Sequence, residues 1–414
     1  MTTRYAFLRP LLAPNQAWAA IDLALSAPQD APSAPPSQEF ITADFGDAFG
    51  PTRAARWPVL ARGAHPGDDV RAPARAPAGY GRERPLTPFA VPLPADPASP
   101  DPTRAAALVE AGLIAALWHL EPSSFKALID GQLPGTGWDV VDAQLARDSI
   151  SPHLLLHFRE EGRPLVGLQV TSAGLFDWCA SRGFTLLGAE FVSRPEVDPH
   201  SPADPTKLKL LRLPSLVVQD AHTSALEEVF RGEPKLLYNL LRLVNSVSVG
   251  SPTKVTSLSQ ALLLLGRRQL QRWLQLLIYA NQFSQPQQPN PLLKQAAYRG
   301  SLLEGLLHDA IAQGNAEECP DCAYMVGVFS LLPTLLHLPM ADILANLPLP
   351  EEVAAGLLHG EGILGWGLGI VAAAEQGDFD SGAKALAQAG VDPVRWLHIQ
   401  QQAFGWTSQL DTDN

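Results

Sequence analysis

Proline is the residue that most constrains this chain. Of its 38 prolines, 16 fall between Pro28 and Pro102, interleaved with Ala, Arg and Asp. Proline lacks the backbone N–H and its ring clashes with a preceding helical turn, so this stretch is expected to hold neither a long helix nor a central strand. Residues 26–38 and 71–102 read as extended, linker-like segments. The texture changes at Thr103, where Ala, Leu, Ile and Val recur at helical spacing as far as Trp118 and predict a helix over 104–118. Short apolar runs then alternate with helical stretches. Strands are predicted at 154–158, 165–170 and 185–192, with a helix at 175–182, which is an α/β rhythm.

A polar, proline-punctuated break from Arg194 to Pro205 ends the strand signals, and a domain boundary is expected near residue 205. Beyond it Leu236, Leu237, Leu240, Leu241, Val244 and Val247 form an apolar stripe at i, i+3, i+4 and i+7 spacing. Further helices are predicted at 257–280, 292–313, 323–336, 351–375, 383–388 and 393–404, so the carboxy-terminal half is expected to be all-helical.

Charge bounds the partners. The 30 Lys and Arg against 42 Asp and Glu give a net charge of −12, which argues against non-specific attraction to nucleic acid or an anionic membrane. Within the helical half, residues 207–280 carry ten basic and four acidic side chains, and residues 281–414 carry four and fifteen. Such a dipolar arrangement suits docking to an acidic protein surface as well as it suits an ordinary solvated face. Three cysteines, Cys179, Cys319 and Cys322, are too few for a disulfide framework and fit a reducing compartment. The first twenty residues contain Pro10 and Pro14 where a signal peptide needs an unbroken apolar stretch, and no run approaches about 18 uninterrupted apolar residues. A cytoplasmic location is expected.

The run Phe230-Arg-Gly-Glu-Pro-Lys-Leu-Leu-Tyr-Asn-Leu-Leu-Arg-Leu-Val-Asn-Ser246, then Gly250, then Val255-Thr-Ser-Leu-Ser-Gln-Ala-Leu-Leu-Leu-Leu-Gly266, resembles the HDOD family, helical non-catalytic relatives of the HD phosphohydrolases. The shared features are a proline opening a helix, the Leu-Leu-Arg-Leu-Val-Asn-Ser ending, a Gly-containing turn and a second helix closed by Leu-Gly. Physics supports these residues independently. Pro234 suits a first helical turn, where its missing N–H is not needed, and Asn245 and Ser246 suit hydrogen bonding to backbone in the turn that follows. The later Gly327-Val-Phe-Ser-Leu-Leu and Leu357-Leu-His-Gly-Glu-Gly362 extend the likeness to the helical half of EAL-HDOD signalling proteins.

Upstream, Val166-Gly-Leu-Gln-Val-Thr-Ser172, Phe176-Asp-Trp-Cys-Ala-Ser-Arg-Gly-Phe184 and Gly188-Ala-Glu-Phe-Val-Ser-Arg-Pro195 are similar to the last two strands and intervening helix of an EAL domain. In an active EAL phosphodiesterase, the resemblance implies glutamates where this chain has Leu168 and Thr171, and Gln-Gly-Tyr where it has Gly188, Ala189 and Glu190. The strand carrying the name motif falls near residues 18–25, with Asp22 its sole carboxylate. Hydrolysis in that family needs carboxylates around two divalent metals, and one Asp does not supply them. Residues 43–50, Ala-Asp-Phe-Gly-Asp-Ala-Phe-Gly, look like the family's metal loop but come too early in the chain.

His308-Asp309 has the composition of an HD metal pair, but the resemblance puts that dipeptide at Ser330 and Leu331, neither of which replaces a histidine and a carboxylate. His337, His359 and His398 lack a spacing that sets two on one helical face beside a carboxylate. Cys319-Pro-Asp-Cys322 is a single C-x-x-C, expected between helices, which reads as loop thiols in preference to zinc or redox sensing. The glycines in residues 360–369 suit close helix packing or a break better than phosphate binding, and no nucleophile elbow occurs.

The expected fold is α/β plus all-α: a remodelled or incomplete EAL, TIM-barrel-like domain over 1–205 with a Pro/Ala-rich insert at about 26–102, and a helical, HD-like HDOD domain over 206–414. The expected function is non-catalytic signal transduction through protein interaction, as regulator or scaffold, with no catalytic, cofactor-binding or metal residues. Another signalling protein or a second copy of the chain is the expected partner, without membrane or nucleic acid. Cyclic di-GMP is not the expected ligand, though a receptor that binds it without hydrolysis is the alternative, with Arg159, Arg163 and Arg194 as phosphate contacts.

Overall fold

The computed structural model of the chain describes residues 5–26, 59–62, 89–93, 114–119, 138–160, 162, 164–194, 234–247, 255–280, 289–312, 320–345, 347 and 349–410. Contacts divide the chain into two compact units. The first comprises Met1–Phe191 and Ala373–Gly405, and the second Val192–Ala372 and Trp406–Asn414. The division expected near residue 205 therefore misses one feature. Ala373–Gly405, assigned from sequence to the helical half, packs with the first unit.

The first unit is built on a closed eight-stranded barrel: β1 (Tyr5–Leu12), β2 (Trp18–Ser26), β3 (Val59–Arg62), β4 (Phe89–Leu93), β5 (Ile114–His119), β6 (Trp138–Asp142), β7 (Leu165–Leu168) and β8 (Leu186–Gly188). Strands β2 to β8 run parallel in succession, while β1 is antiparallel to both of its neighbours, β2 and β8. Leu11, Ala20, Leu60, Trp138, Val140, Val166, Leu168 and Leu186 form one buried cluster. The alternation of Trp138 and Val140 along β6, and of Val166 and Leu168 along β7, sets the register, because a shift by one residue would turn each pair to the opposite face. After β6 come α1 (Ala143–Ser149) and α2 (Pro152–Glu160), and α3 (Ala173–Ser181) links β7 to β8. Asp142 caps α1 by accepting from Leu145 N at 2.8 Å, and Ser172 caps α3 by accepting from Leu175 N at 3.2 Å.

Three expectations for this half are corrected. The proline-rich stretch does hold central strands, β3 and β4. Pro92 is tolerated in β4 because the ladder to β3 ends at Ala90, leaving only β5 paired beside the proline. Residues 114–118 are strand β5, not the end of a helix, since laddering to β4 and β6 overrides the helical preference of Ala and Leu. Residues 154–158 are not a strand but lie in α2, whose Pro152 sits at the first helical position. Residues 43–50 and 104–113 lie outside the described residues.

The second unit is helical, as expected: α4 (Pro234–Val247), α5 (Leu258–Ala280), α6 (Pro291–Ala312), α7 (Pro320–Phe329), α8 (Leu332–Leu336), α9 (Met340–Leu344), α10 (Glu351–His359) and most of α11 (Gly362–Gln376). Pro234 opens α4, and α5 is broken at Gly266, whose φ of 74° and ψ of 167° end its first segment where the Leu-Gly pair falls. Helices α12 (Phe379–Gln388) and α13 (Pro393–Ser408) complete the order. Among the described residues, the stretch Glu351–Gln376 has the length and apolarity of a membrane-crossing helix. It is broken at Gly360, which caps α10 in the left-handed conformation.

Candidate functional site

Barrel sites form at the carboxyl ends of parallel strands, and in this barrel a buried ionic cluster reaches the ends of β7 and β8. Arg9 from β1 donates from Nε and Nη2 to Asp22 Oδ2 in β2, at 3.0 and 2.6 Å. Its Nη1 lies 3.3 Å from Glu190 Oε1 and donates to the Glu375 carbonyl oxygen at 3.3 Å. Glu190 follows the end of β8 in a short 3-10 turn, Glu190–Ser193, and its Oε2 accepts from Val170 N, just beyond β7, at 3.2 Å. Gly188 has no side chain because a β-carbon there would run into the Glu190 carboxylate. Arg9 is 6% exposed and Asp22 1%. Burial works against the Arg9 charge, but Asp22 and Glu190 outweigh it and raise the guanidinium above the ordinary arginine value.

The chain's carboxy-terminal segment covers the same place. Gly377, at φ 83°, approaches so closely that a β-carbon would sit 3.4 Å from Arg9 Nη1. The Phe379 ring centroid lies 5.1 Å from Arg9 Cζ and 5.4 Å from the Phe7 ring. Ser26, the last residue of β2, donates to Asp380 Oδ1 at 2.5 Å.

The residues that the EAL resemblance singles out are thereby located. Leu168 belongs to the apolar interior and Thr171 is exposed; Gly188, Ala189 and Glu190 end β8 and begin the turn. Asp22 and Glu190 are brought together, but around a guanidinium. Arg159 and Arg194 are exposed, and Arg163 lies outside the described residues. Sequence reasoning missed Arg9 and Glu375, and met Glu190 only as a replaced EAL position. The available signal was a single charge at the inward register of an otherwise apolar run, in Tyr5-Ala-Phe-Leu-Arg-Pro-Leu-Leu12 and again at Asp22.

In the helical unit the position assigned to an HD pair is also met by an arginine. Arg299 Nη1 on α6 donates to Ser330 Oγ at 2.8 Å, and Ser330 Oγ donates to the Gly327 carbonyl at 2.7 Å. Leu331 is buried. On α5, Arg272 pairs with Glu304 and lies 4.9 Å from the Tyr324 ring centroid, and Tyr279 donates to the Val328 carbonyl at 2.6 Å. Burial pushes both tyrosine phenols up, so both stay neutral, Tyr279 as a donor and Tyr324 as a packing ring. Among the described residues no group of three His, Cys, Asp or Glu side chains is placed to hold a metal ion. His308 is exposed on α6. Cys322 is buried within helix α7, not in a loop between helices as expected, and Cys319 lies outside the described residues.

Asn245 meets its expectation with one refinement. Its Nδ2 donates to the carbonyls of Leu241 at 2.7 Å and Val255 at 2.8 Å, and its Oδ1 accepts from Val255 N at 2.9 Å. The side chain therefore clips the end of α4 to the segment entering α5, beyond Gly250.

Comparison with known proteins places an HDOD domain at residues 209–347. The uncharacterized protein YuxH of Bacillus subtilis (strain 168) is 28% identical over 177 residues, 42% of this chain and 42% of its own length. The cyclic di-GMP phosphodiesterase CdgJ of Vibrio cholerae serotype O1 is 24% identical over 252 residues, 60% of this chain and 56% of its own. The chain thus spans about half the length of the curated relatives it matches. Among solved structures, the PaMucR phosphodiesterase in its c-di-GMP complex aligns with a TM-score of 0.30 at 15% identity, over 47% of this chain and 92% of that one.

Proposed function

We propose that the chain is a non-catalytic signal-transduction protein that acts through protein interaction, as regulator or scaffold, with a remodelled EAL-like barrel beside its HDOD domain. The observation that carries this reading is the state of Asp22. It is the one carboxylate that the EAL likeness leaves on the name-motif strand, and it is buried against Arg9 with both bonds to a single oxygen. A carboxylate held this way has a cation where metal-dependent phosphodiester hydrolysis needs a divalent ion. The Arg299–Ser330 bond supports the same reading in the helical unit. Similarity to a protein named as a cyclic di-GMP phosphodiesterase ties the chain to that signalling chemistry, and the activity is proposed to have been lost.

The same cluster argues against the receptor alternative. Arg9 is matched by two carboxylates, so a nucleotide phosphate entering beside it meets a net negative charge. The test is incubation of the full chain with cyclic di-GMP and magnesium or manganese, alongside a thermal scan with the same additions. The expected result is no turnover and no shift in Tm. Hydrolysis that disappears in Asp22→Asn overturns the proposal; a saturable rise in Tm without hydrolysis replaces it with the receptor.

A further inference from the structure

Strand β1 is eight residues long, but β8 pairs with it only at Leu11 and Leu12 before turning away into the 3-10 turn at Glu190. The Leu8 N–H and the Ala6 carbonyl face away from β2, and burying such groups without hydrogen bonds is costly. Gln400 on α13 meets them. Its Oε1 accepts from Leu8 N at 2.8 Å and its Nε2 donates to the Ala6 carbonyl at 2.8 Å. These are the two bonds that one residue of a parallel strand, set opposite Phe7, would make. Gln400 is 1% exposed, and Trp396, one turn earlier, packs edge-on to Phe7 at 5.9 Å. Tyr5 adds a bond from its hydroxyl to the Val391 carbonyl at 2.8 Å.

We propose that Gln400 is a side-chain stand-in for a missing strand, and that α13 is the strap that keeps the β1 edge from pairing with another chain. The partner that fits a bared edge is β1 of a second copy, because residues 5–8 are apolar and carry no edge-blocking charge on the Ala6 and Leu8 register, the pairing ending before Pro10, which has no N–H to donate. Two such edges meet by a two-fold axis as a continuous antiparallel sheet.

The test is Gln400→Leu in the full chain. The change keeps the volume and removes both bonds. Sedimentation velocity is expected to show a concentration-dependent dimer that the parent chain lacks. Amide exchange across residues 5–12 is expected to rise at least tenfold in the dilute monomer and fall again in the dimer. Gln400→Glu keeps the acceptor for Leu8 N and loses the donor to Ala6, and is expected to give a weaker dimer. A folded Gln400→Leu chain that stays monomeric at every concentration, with β1 amides still protected, overturns the proposal. So does loss of fold in both variants, because α13 would then be holding the core and not guarding an edge.

Discussion

Arg9 and Asp22 stand opposite each other in the antiparallel register of β1 and β2, joined by two bonds from one guanidinium to one carboxylate oxygen. A buried pair of this kind contributes little net stability compared with apolar residues of the same volume, yet leaving one member alone is costly. Its consequence for chemistry is that the Arg9 guanidinium is already engaged: Asp22 and Glu190 hold it and the Phe379 ring lies against it.

Asp22→Asn is therefore expected to destabilise the chain by about 3 kcal/mol, since Arg9 stays charged without its nearest carboxylate. Arg9→Met combined with Asp22→Leu and Glu190→Gln, which leaves neither partner of Arg9 as an unpaired buried carboxylate, is expected to cost less than Asp22→Asn alone. Urea unfolding followed by near-ultraviolet circular dichroism measures both. Equal or greater loss in the triple variant would mean that the cluster is a net source of stability.

Asn245→Leu is expected to cost about 2 kcal/mol, because the Val255 N–H and carbonyl lose the side chain that bonds both, and the Leu241 carbonyl loses a bond additional to its helical one. Asn245→Asp keeps the acceptor for Val255 N and loses the two donated bonds, so its loss should be intermediate. The urea midpoints of the two variants read this order directly.

The helical half was legible in the sequence because its periods are long: Pro234 through Val247 shows the apolar spacing, the opening proline and the closing polar pair together. The barrel was less so. Its strands β3, β4, β5 and β8 have three to six residues, too few for a two-residue alternation to outweigh local preference. Ile114-Ala-Ala-Leu reads as helix until laddered on both sides, and Leu154 to Phe158 reads as strand until Pro152 is seen to open a turn. Arg9 and Asp22 left a trace as lone charges in apolar runs. Gln400 left none, because its partners lie more than 390 residues away.

Cys179 is buried in α3, and burial pushes its thiol up to about 12 from 9. Only the thiolate reacts readily, so iodoacetamide at pH 8 should leave Cys179 unlabelled in the native chain and label it in urea, as read by peptide mass mapping. A folded-state value above the unfolded one means that the protonated thiol's contribution is complete below pH 9 and is lost as pH rises toward 12. The Tm gap between the parent chain and Cys179→Ala should accordingly narrow above pH 9.

Two helical glycines give opposite expectations for the same substitution. Alanine is favoured over glycine by about 1 kcal/mol in a helix interior. At Gly369 in α11 nothing lies within 4 Å of the added β-carbon, so Gly369→Ala should gain roughly that amount. At Gly327 in α7 the β-carbon would lie 2.6 Å from the Arg299 carbonyl carbon and oxygen and from Gly300 Cα. These are backbone atoms of α6, which have no rotamer to escape into. The helices would have to separate, disturbing the Arg299–Ser330 and Ser330–Gly327 bonds in the same contact, and overpacking of this kind costs about 1–3 kcal/mol. Gly327→Ala should therefore destabilise despite its better helix propensity. A stabilised Gly327→Ala, measured by urea midpoint beside Gly369→Ala, would mean that α6 and α7 do not meet backbone to backbone.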